Sequence, residues 1–277
     1  MDIPLIGVDF SSAPSKRKPV LLAQGRLQPA GQVALLRLDG LQRFETLVAF
    51  GDWLSRPGPW IGGFDLPFGL PRELVQQLGW ASDWAACMDF YCAQPRPWLR
   101  ERFVAFCAAR PAGAKFAHRA CDGPAGSSPA MKWVNPPVAW MLHAGLPLLR
   151  AAGASLPAHA PGLGDGQRVA LEAYPGLLAR ELLGARSYKS DDKARQTPER
   201  LIARKDLIEA LEQGRSARLQ GLRLKLSAAQ RDALAADASG DSLDAVLCLL
   251  QAGWAAQQPG YGLPPGVDPL EGWILSA

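Results

Sequence analysis

The chain has 277 residues, 48% of them apolar, and a formal net charge of +4 at pH 7. That length suits one large domain, or one domain carrying an insertion, around a sizeable core, and no apolar run reaches the roughly 20 residues of a membrane-spanning helix. Five scattered cysteines without a Cys-x-x-Cys pair read as reduced thiols, and the start Met1-Asp2-Ile3-Pro4 has no basic and long apolar leader, so a cytoplasmic protein is expected.

In chain order, Leu5-Ile6-Gly7-Val8-Asp9-Phe10 reads as a short buried strand, followed by the polar turn Lys16-Arg17-Lys18. Pro19 to Leu27 and Gln32 to Leu38 read as two more strands, joined by the turn Gln28-Pro29-Ala30-Gly31. The spacing of Phe44, Leu47, Val48 and Trp53 predicts a helix over 44–54, and Trp60 to Asp65 is a second buried strand stopped by Pro67 and Pro71. Residues 72–165 break this rhythm and are expected to form a helical insertion, with helices near 71–78, 98–109 and 136–152. Its Gly/Ala/Pro-rich middle, Pro111 to Pro129, reads as a mobile lid. Val169 to Tyr174 is a third acidic strand, and helices are expected over 177–183, 198–212, 227–236 and 242–257. Asp244 lies at the edge of the last helix's apolar face, toward the sheet rim.

The chemistry lies in four acidic motifs: Asp9, Asp65 and Glu172 at or near the ends of apolar strands, and Asp241 with Asp244 at the start of the last helix. Taken singly each has a structural role. Asp9 and Asp65 suit Asx turns, Glu172 an exposed strand position, and Asp241 an N-cap with Asp244 as its partner. Taken together they are carboxylates that a sheet gathers at one rim, where they repel one another unless a cation sits between them. Oxygen ligands without histidine suit Mg²⁺ or Mn²⁺. Cys87, Cys92, Cys107, Cys121 and His118 do not fall at the spacing of a zinc site.

Between Arg186 and Arg231 twelve basic residues face six acidic ones, which is either a solvated helix face or a surface that meets phosphates. No Gly-x-Ser-x-Gly is present, and His118, His143 and His159 crowd into the 72–165 segment, which leaves serine or cysteine hydrolase chemistry without support.

Gly7-Val8-Asp9-Phe10-Ser11, Phe64-Asp65-Leu66-Pro67-Phe68-Gly69, Glu172-Ala173-Tyr174-Pro175 and Asp241-Ser242-Leu243-Asp244-Ala245 together resemble, in order and from about residue 3 to 275, a family of predicted nucleases with a ribonuclease-H-like fold. His118-Arg119-Ala120-Cys121-Asp122 and Tyr188-Lys189 add to the likeness. The resemblance implies a single α/β domain over 1–277: a mixed sheet with an antiparallel first meander, flanking helices and the 72–165 insertion. It implies Asp9 as central metal ligand, Asp65 and Glu172 as strand-end ligands, and Asp244, with Asp241 beside it, as helix ligand. Two Mg²⁺ or Mn²⁺ ions would then serve hydrolysis of nucleic-acid phosphodiesters, with Arg119, Lys132 or Lys189 on the phosphate. Two other readings stay open. One is a non-catalytic protein on the same fold that binds nucleic acid or a phosphate ligand. The other is a phosphotransferase of the actin and sugar-kinase type, for which Asp165-Gly166 and Gly162-x-Gly164 would have to serve as nucleotide loops.

Overall fold

The computed structural model describes residues 3–30, 33–160, 162, 164 and 166–277. Gln32, the expected start of the third strand, and Asp165, the end of the expected insertion, lie outside the described residues, as do Met1, Asp2, Gly31, Pro161 and Leu163.

Six strands form one mixed sheet: β1 (Leu5–Asp9), β2 (Val20–Ala30), β3 (Val33–Phe44), β4 (Trp60–Asp65), β5 (Arg168–Glu172) and β6 (Arg223–Lys225). Their spatial order is β5-β4-β1-β2-β3-β6. β1, β2 and β3 run as an antiparallel meander, while β4 pairs parallel with β1, β5 with β4, and β6 with β3. The expected meander is present and longer than the apolar pattern suggested. β3 continues through Phe44, and the helix expected to begin there starts at Leu47 instead, where the Thr46 side chain accepts from the Ala49 N–H. Three residues of β6 gave no periodic signal.

Alternation along the strands sorts the core into two halves. Ile6 and Val8 of β1 and Trp60 and Phe64 of β4 face one helical layer; Leu5 and Ile61 face the other. The first layer holds α1 (Leu47–Leu54), α2 (Arg72–Gln77), α3 (Trp84–Ala93), α4 (Arg96–Ala108) and α6 (Val138–Ala151), with the single turn α5 (Asp122–Ala125) near the rim. The second holds α7 (Pro175–Leu183), α8 (Pro198–Glu212), α9 (Ala228–Ala236) and α10 (Asp241–Ala255). The 72–165 stretch is therefore part of the domain's own three-layer architecture. Leu74, Tyr91, Phe103 and Leu142 share a core with Ile6, Val8 and Phe64, because the second face of an apolar sheet needs a cover. Helices α2, α4 and α6 lie where expected, and α3, capped by Asp83, was not foreseen. Among the described residues no helix is long and apolar enough to cross a membrane.

One contact decides where the functional side chains meet. Helix α10 lies across β1 and β4, and a Cβ on Gly7 would stand 2.0 Å from the Leu249 nitrogen, one on Gly63 2.4 Å from the Cys248 oxygen. Gly7 and Gly63 are paired in register. Two adjacent strands thus lack side chains where the helix backbone presses on the sheet. The first turn of α10 is thereby held beyond the strand ends.

Candidate functional site

Asp9 ends β1 and Asp65 ends β4; the two are direct partners in the parallel ladder. Both belong to the set that alternates with Gly7 and Gly63, so both side chains lie on the α10 face. Asp244, fully buried in the first turn of α10, completes a trio of carboxylates drawn from two strands and one helix. Burial first, and then repulsion from Asp244, Asp241 and Asp65, holds the Asp9 carboxyl well above its ordinary range. Burial and Asp244 push Asp65 up to about 7, against the pull of Lys189. Asp241 is raised as well, by burial and then by Asp244 in opposition to Lys18.

Two side chains tie down Asp244: the Tyr188 hydroxyl donates to one oxygen and the Lys189 ammonium to the other. The ammonium is itself half-exposed to the cleft. Burial works against its charge, but Asp244, Asp9 and Asp65 outweigh that cost and leave it firmly protonated. Lys18, which donates to Asp191 at 2.7 Å, stands 4.0 Å from Asp241. Asp241 itself is not a helix cap. The N-cap is Gly240, in the left-handed region at φ 77°, and Asp237 accepts the Ser242 N–H at 2.9 Å. Asp241 is thereby released to face Lys18.

Glu172 departs from the sequence-based expectation that it is a strand-end metal ligand. It is in register with Phe64, one residue short of Asp65, and so its side chain emerges on the opposite face of the sheet. There it meets Arg119 in a bidentate pair, at 2.6 and 2.7 Å, and accepts the Phe68 N–H at 3.2 Å. Arg119 also reaches both Asp122 and the Glu271 carbonyl, so all five of its N–H donors are used within the protein. A guanidinium so engaged, and only 3% exposed, has nothing left for a phosphate, which removes Arg119 as a substrate ligand. The same network corrects the lid. Glu271 accepts the Ala120 N–H at 2.8 Å, and Ala117, Cys121, Asp122 and Ala125 are buried, so the middle of 111–129 is pinned against the sheet rim.

A cavity of about 250 Å³ opens beside Asp65 and Lys189, lined by Leu66, Val138, Met141 and Ile274, by Ser127 and Ser128, and by the Arg119–Glu172 pair. A second hollow of about 270 Å³ adjoins it across Asp65, Tyr174 and Lys189, and contains Arg180 and Arg186. Lys132 lines neither. The basic stretch 186–231 is mostly engaged within the fold: Arg186 pairs with Asp206 and Arg231 with Glu212, while buried Arg204 donates to the Ala235 and Tyr188 carbonyls. Its charge is a property of paired helix surfaces more than of an open phosphate track. Lys189 is the member that reaches the acids. Sequence reasoning passed over Lys18 and Tyr188 as ligand-holding residues; Lys18 stood in a polar turn and Tyr188 beside Lys189, with no periodic signal to single them out.

Among the described residues no three histidine, cysteine or acidic side chains stand arranged to hold a metal ion. The donor chemistry nevertheless fits a divalent cation. Asp9, Asp65, Asp241 and Asp244 offer only oxygen donors, and the cations acting on them are Lys189 and Lys18, two basic side chains beside four acidic ones. Burial first, and then repulsion within this group, raises the Asp9 and Asp65 carboxyls. No family model, no curated protein and no solved structure matches this chain.

Proposed function

We propose that this chain is a metal-dependent nuclease that hydrolyses phosphodiester bonds of nucleic acid on a ribonuclease-H-like core. One observation carries the reading: Asp9 and Asp65 stand side by side at the ends of adjacent parallel strands, with Asp244 brought above them by a helix seated on Gly7 and Gly63. A first-strand carboxylate, a neighbouring-strand carboxylate and a last-helix carboxylate, over a sheet with an antiparallel first meander, are what the resemblance in the sequence implies. Asp9, Asp65 and Asp244 would hold Mg²⁺ or Mn²⁺, with Asp241 at the margin. When bound, such an ion supplies the positive charge that polarises a phosphate and activates a water.

The chain's own groups do the rest. Tyr188 fixes the orientation of Asp244 by donating to it, and Lys189 is placed to hold a non-bridging phosphate oxygen. Among the described residues no arginine pairs with Asp9 or Asp65, whose oxygens would be kept for an incoming cation. The Arg119–Glu172 pair sets the rim from the other face of the sheet and lines the cavity beside Asp65. The test is incubation of labelled single-stranded, duplex, hybrid and branched oligonucleotides with Mn²⁺, Mg²⁺ or EDTA, beside Asp9→Asn. Cleavage is expected to need the metal and to fall by about 1000-fold or more in the variant, with circular dichroism unchanged. Full metal-dependent cleavage by Asp9→Asn would falsify the mechanism. Metal affinity with no cleavage across the panel would instead favour the non-catalytic binding protein.

A further inference from the structure

The two hollows beside the acids are chemically unlike. One has the larger part of its exposed wall apolar, from Leu66, Val138, Met141 and Ile274, and the Ser127 and Ser128 hydroxyls and the Arg119–Glu172 pair line it as well. The other, beyond Lys189, carries the guanidinium groups of Arg180 and Arg186. Asp65, Tyr174 and Lys189 border both. A ligand spanning the cleft is thus met by apolar surface at one end, by cations at the other, and by the carboxylates between.

A nucleotide has that distribution, with a flat, mostly apolar base rimmed by hydrogen-bonding groups and an anionic phosphate chain. A cavity of about 250 Å³ is of a size to take one ring system. The base edge and faces inside a duplex are taken up by pairing and stacking, so a base enters such a cavity only if it is unpaired or swung out of the helix. Arg180 is exposed, lies 5.9 Å from the Tyr174 ring, donates to the Gly126 carbonyl at 3.1 Å, the Tyr174 hydroxyl at 3.4 Å and the Gly176 carbonyl at 3.5 Å, and lines the second hollow. With Lys189 it marks a path for consecutive phosphates.

Resting on the nuclease reading, we infer that the cleft takes one unpaired nucleotide, with its base in the Leu66–Val138–Met141–Ile274 cavity and its phosphates along Lys189 and Arg180, so that the substrate class is single-stranded or locally unpaired nucleic acid. An intact duplex lies too broad and too well paired to fill the cavity. Ser127 and Ser128 sit where a base edge would be met, with Ser127 already donating to Asp122 at 3.1 Å and able to accept in turn.

The test uses the intact chain and two cavity-filling variants, Met141→Trp and Val138→Trp, the second at the half-exposed start of α6 where folding is least at stake. Cleavage of a single strand, of an intact duplex and of a duplex with one unpaired nucleotide is measured in Mn²⁺. The single strand and the interrupted duplex are expected to be cut at least 10-fold faster than the intact duplex, and either variant is expected to slow the single strand at least 10-fold. Equal cutting of intact duplex, or unchanged rates in a folded variant, would overturn the base cavity while Asp9→Asn sensitivity kept the nuclease reading alive. A second arm needs no turnover: calorimetric titration of AMP, CMP and ribose 5-phosphate. Tighter binding of a nucleotide than of ribose 5-phosphate, lost at least 10-fold in the variants, supports the cavity even if every oligonucleotide stays intact. Indistinguishable binding of all three compounds, or none, overturns it.

Discussion

Two groups of buried acids lie on opposite sides of one sheet edge, and they have opposite characters. On one face Glu172, Asp122 and Glu271 are drawn around Arg119 and backbone donors until every guanidinium N–H is used. On the other face Asp9, Asp65, Asp241 and Asp244 share two lysines, and burial and mutual repulsion hold Asp9 and Asp65 above their ordinary ranges. Glu172 on one face and Asp9 and Asp65 on the other share the same local sequence, an acid at the end of an apolar strand. What separates a structural anchor from a ligand-hungry site is whether donors inside the fold meet the carboxylate oxygens: Glu172 and Asp122 accept from Arg119 and from backbone N–H groups, and Glu271 from the Arg72 and Ala120 N–H groups, whereas among the described residues no such donor meets Asp9 or Asp65. A cluster matched by donors in this way holds the chain together, whereas the other stores repulsion that a ligand can relieve.

Breaking the matched cluster is expected to have the largest effect. Arg119→Ala leaves Asp122 and Glu172 buried without a cationic partner and is expected to cost about 3–5 kcal/mol, read as a lowered midpoint in urea unfolding. Arg119→Lys recovers little of that, since one ammonium cannot span both carboxylates. If Arg119→Ala unfolds at the parent midpoint, the network is not an anchor and the comparison collapses.

The two sides are also expected to respond to pH with opposite sign. His159 packs against Trp84 and the Glu271–Gly272 turn, donates through Nδ1 to the Pro269 carbonyl at 2.7 Å and has no partner for Nε2. Burial lowers its pKa from 6.5 to about 4. Below the ordinary value the unfolded chain binds a proton that the folded chain refuses. The stabilisation from neutral His159 is therefore complete above about 6.5 and lost as pH falls toward 4, and is worth about 2–3 kcal/mol. His159→Gln is expected to flatten that acid slope in thermal unfolding.

Gly7→Ala tests the delivery of Asp244. A Cβ at 2.0 Å from Leu249 forces α10 off β1, with an expected loss of about 1–3 kcal/mol and a larger loss of cleavage than the stability change explains. Equal activity in a folded Gly7→Ala protein would separate Asp244 from the site.

Asp65→Asn is the smallest expected change and goes the other way. The folded carboxyl, pushed up to about 7, keeps a proton that the unfolded chain has released from pH 3.8 upward. That contribution is fully present below 3.8 and lost as pH rises through 7. In EDTA above pH 7, Asp65→Asn is therefore expected to stabilise the protein by about 1–2 kcal/mol, after allowance for solvent in the cleft, while cleavage is lost. Added Mn²⁺ is expected to raise the melting temperature of the parent more than that of the variant.

The sequence by itself determined the α/β character, the antiparallel first meander, most of the helices, and the candidate acids, because apolar period and turn residues act over a few positions. It also placed Gly7 and Gly63 inside strands, although nothing local says that a helix backbone will rest on them. It could not separate Glu172 from Asp65, since the face on which a strand-end carboxylate emerges depends on register with the neighbouring strand, and a shift of one residue reverses it. Nor could it show that 72–165 covers a sheet face and pins its own middle, or that Arg119 spends every donor inside the protein. Those outcomes rest on contacts between residues tens of positions apart, 53 from Arg119 to Glu172, and only the folded chain brings the opposing charges close enough to decide which acids are answered and which are left for a ligand.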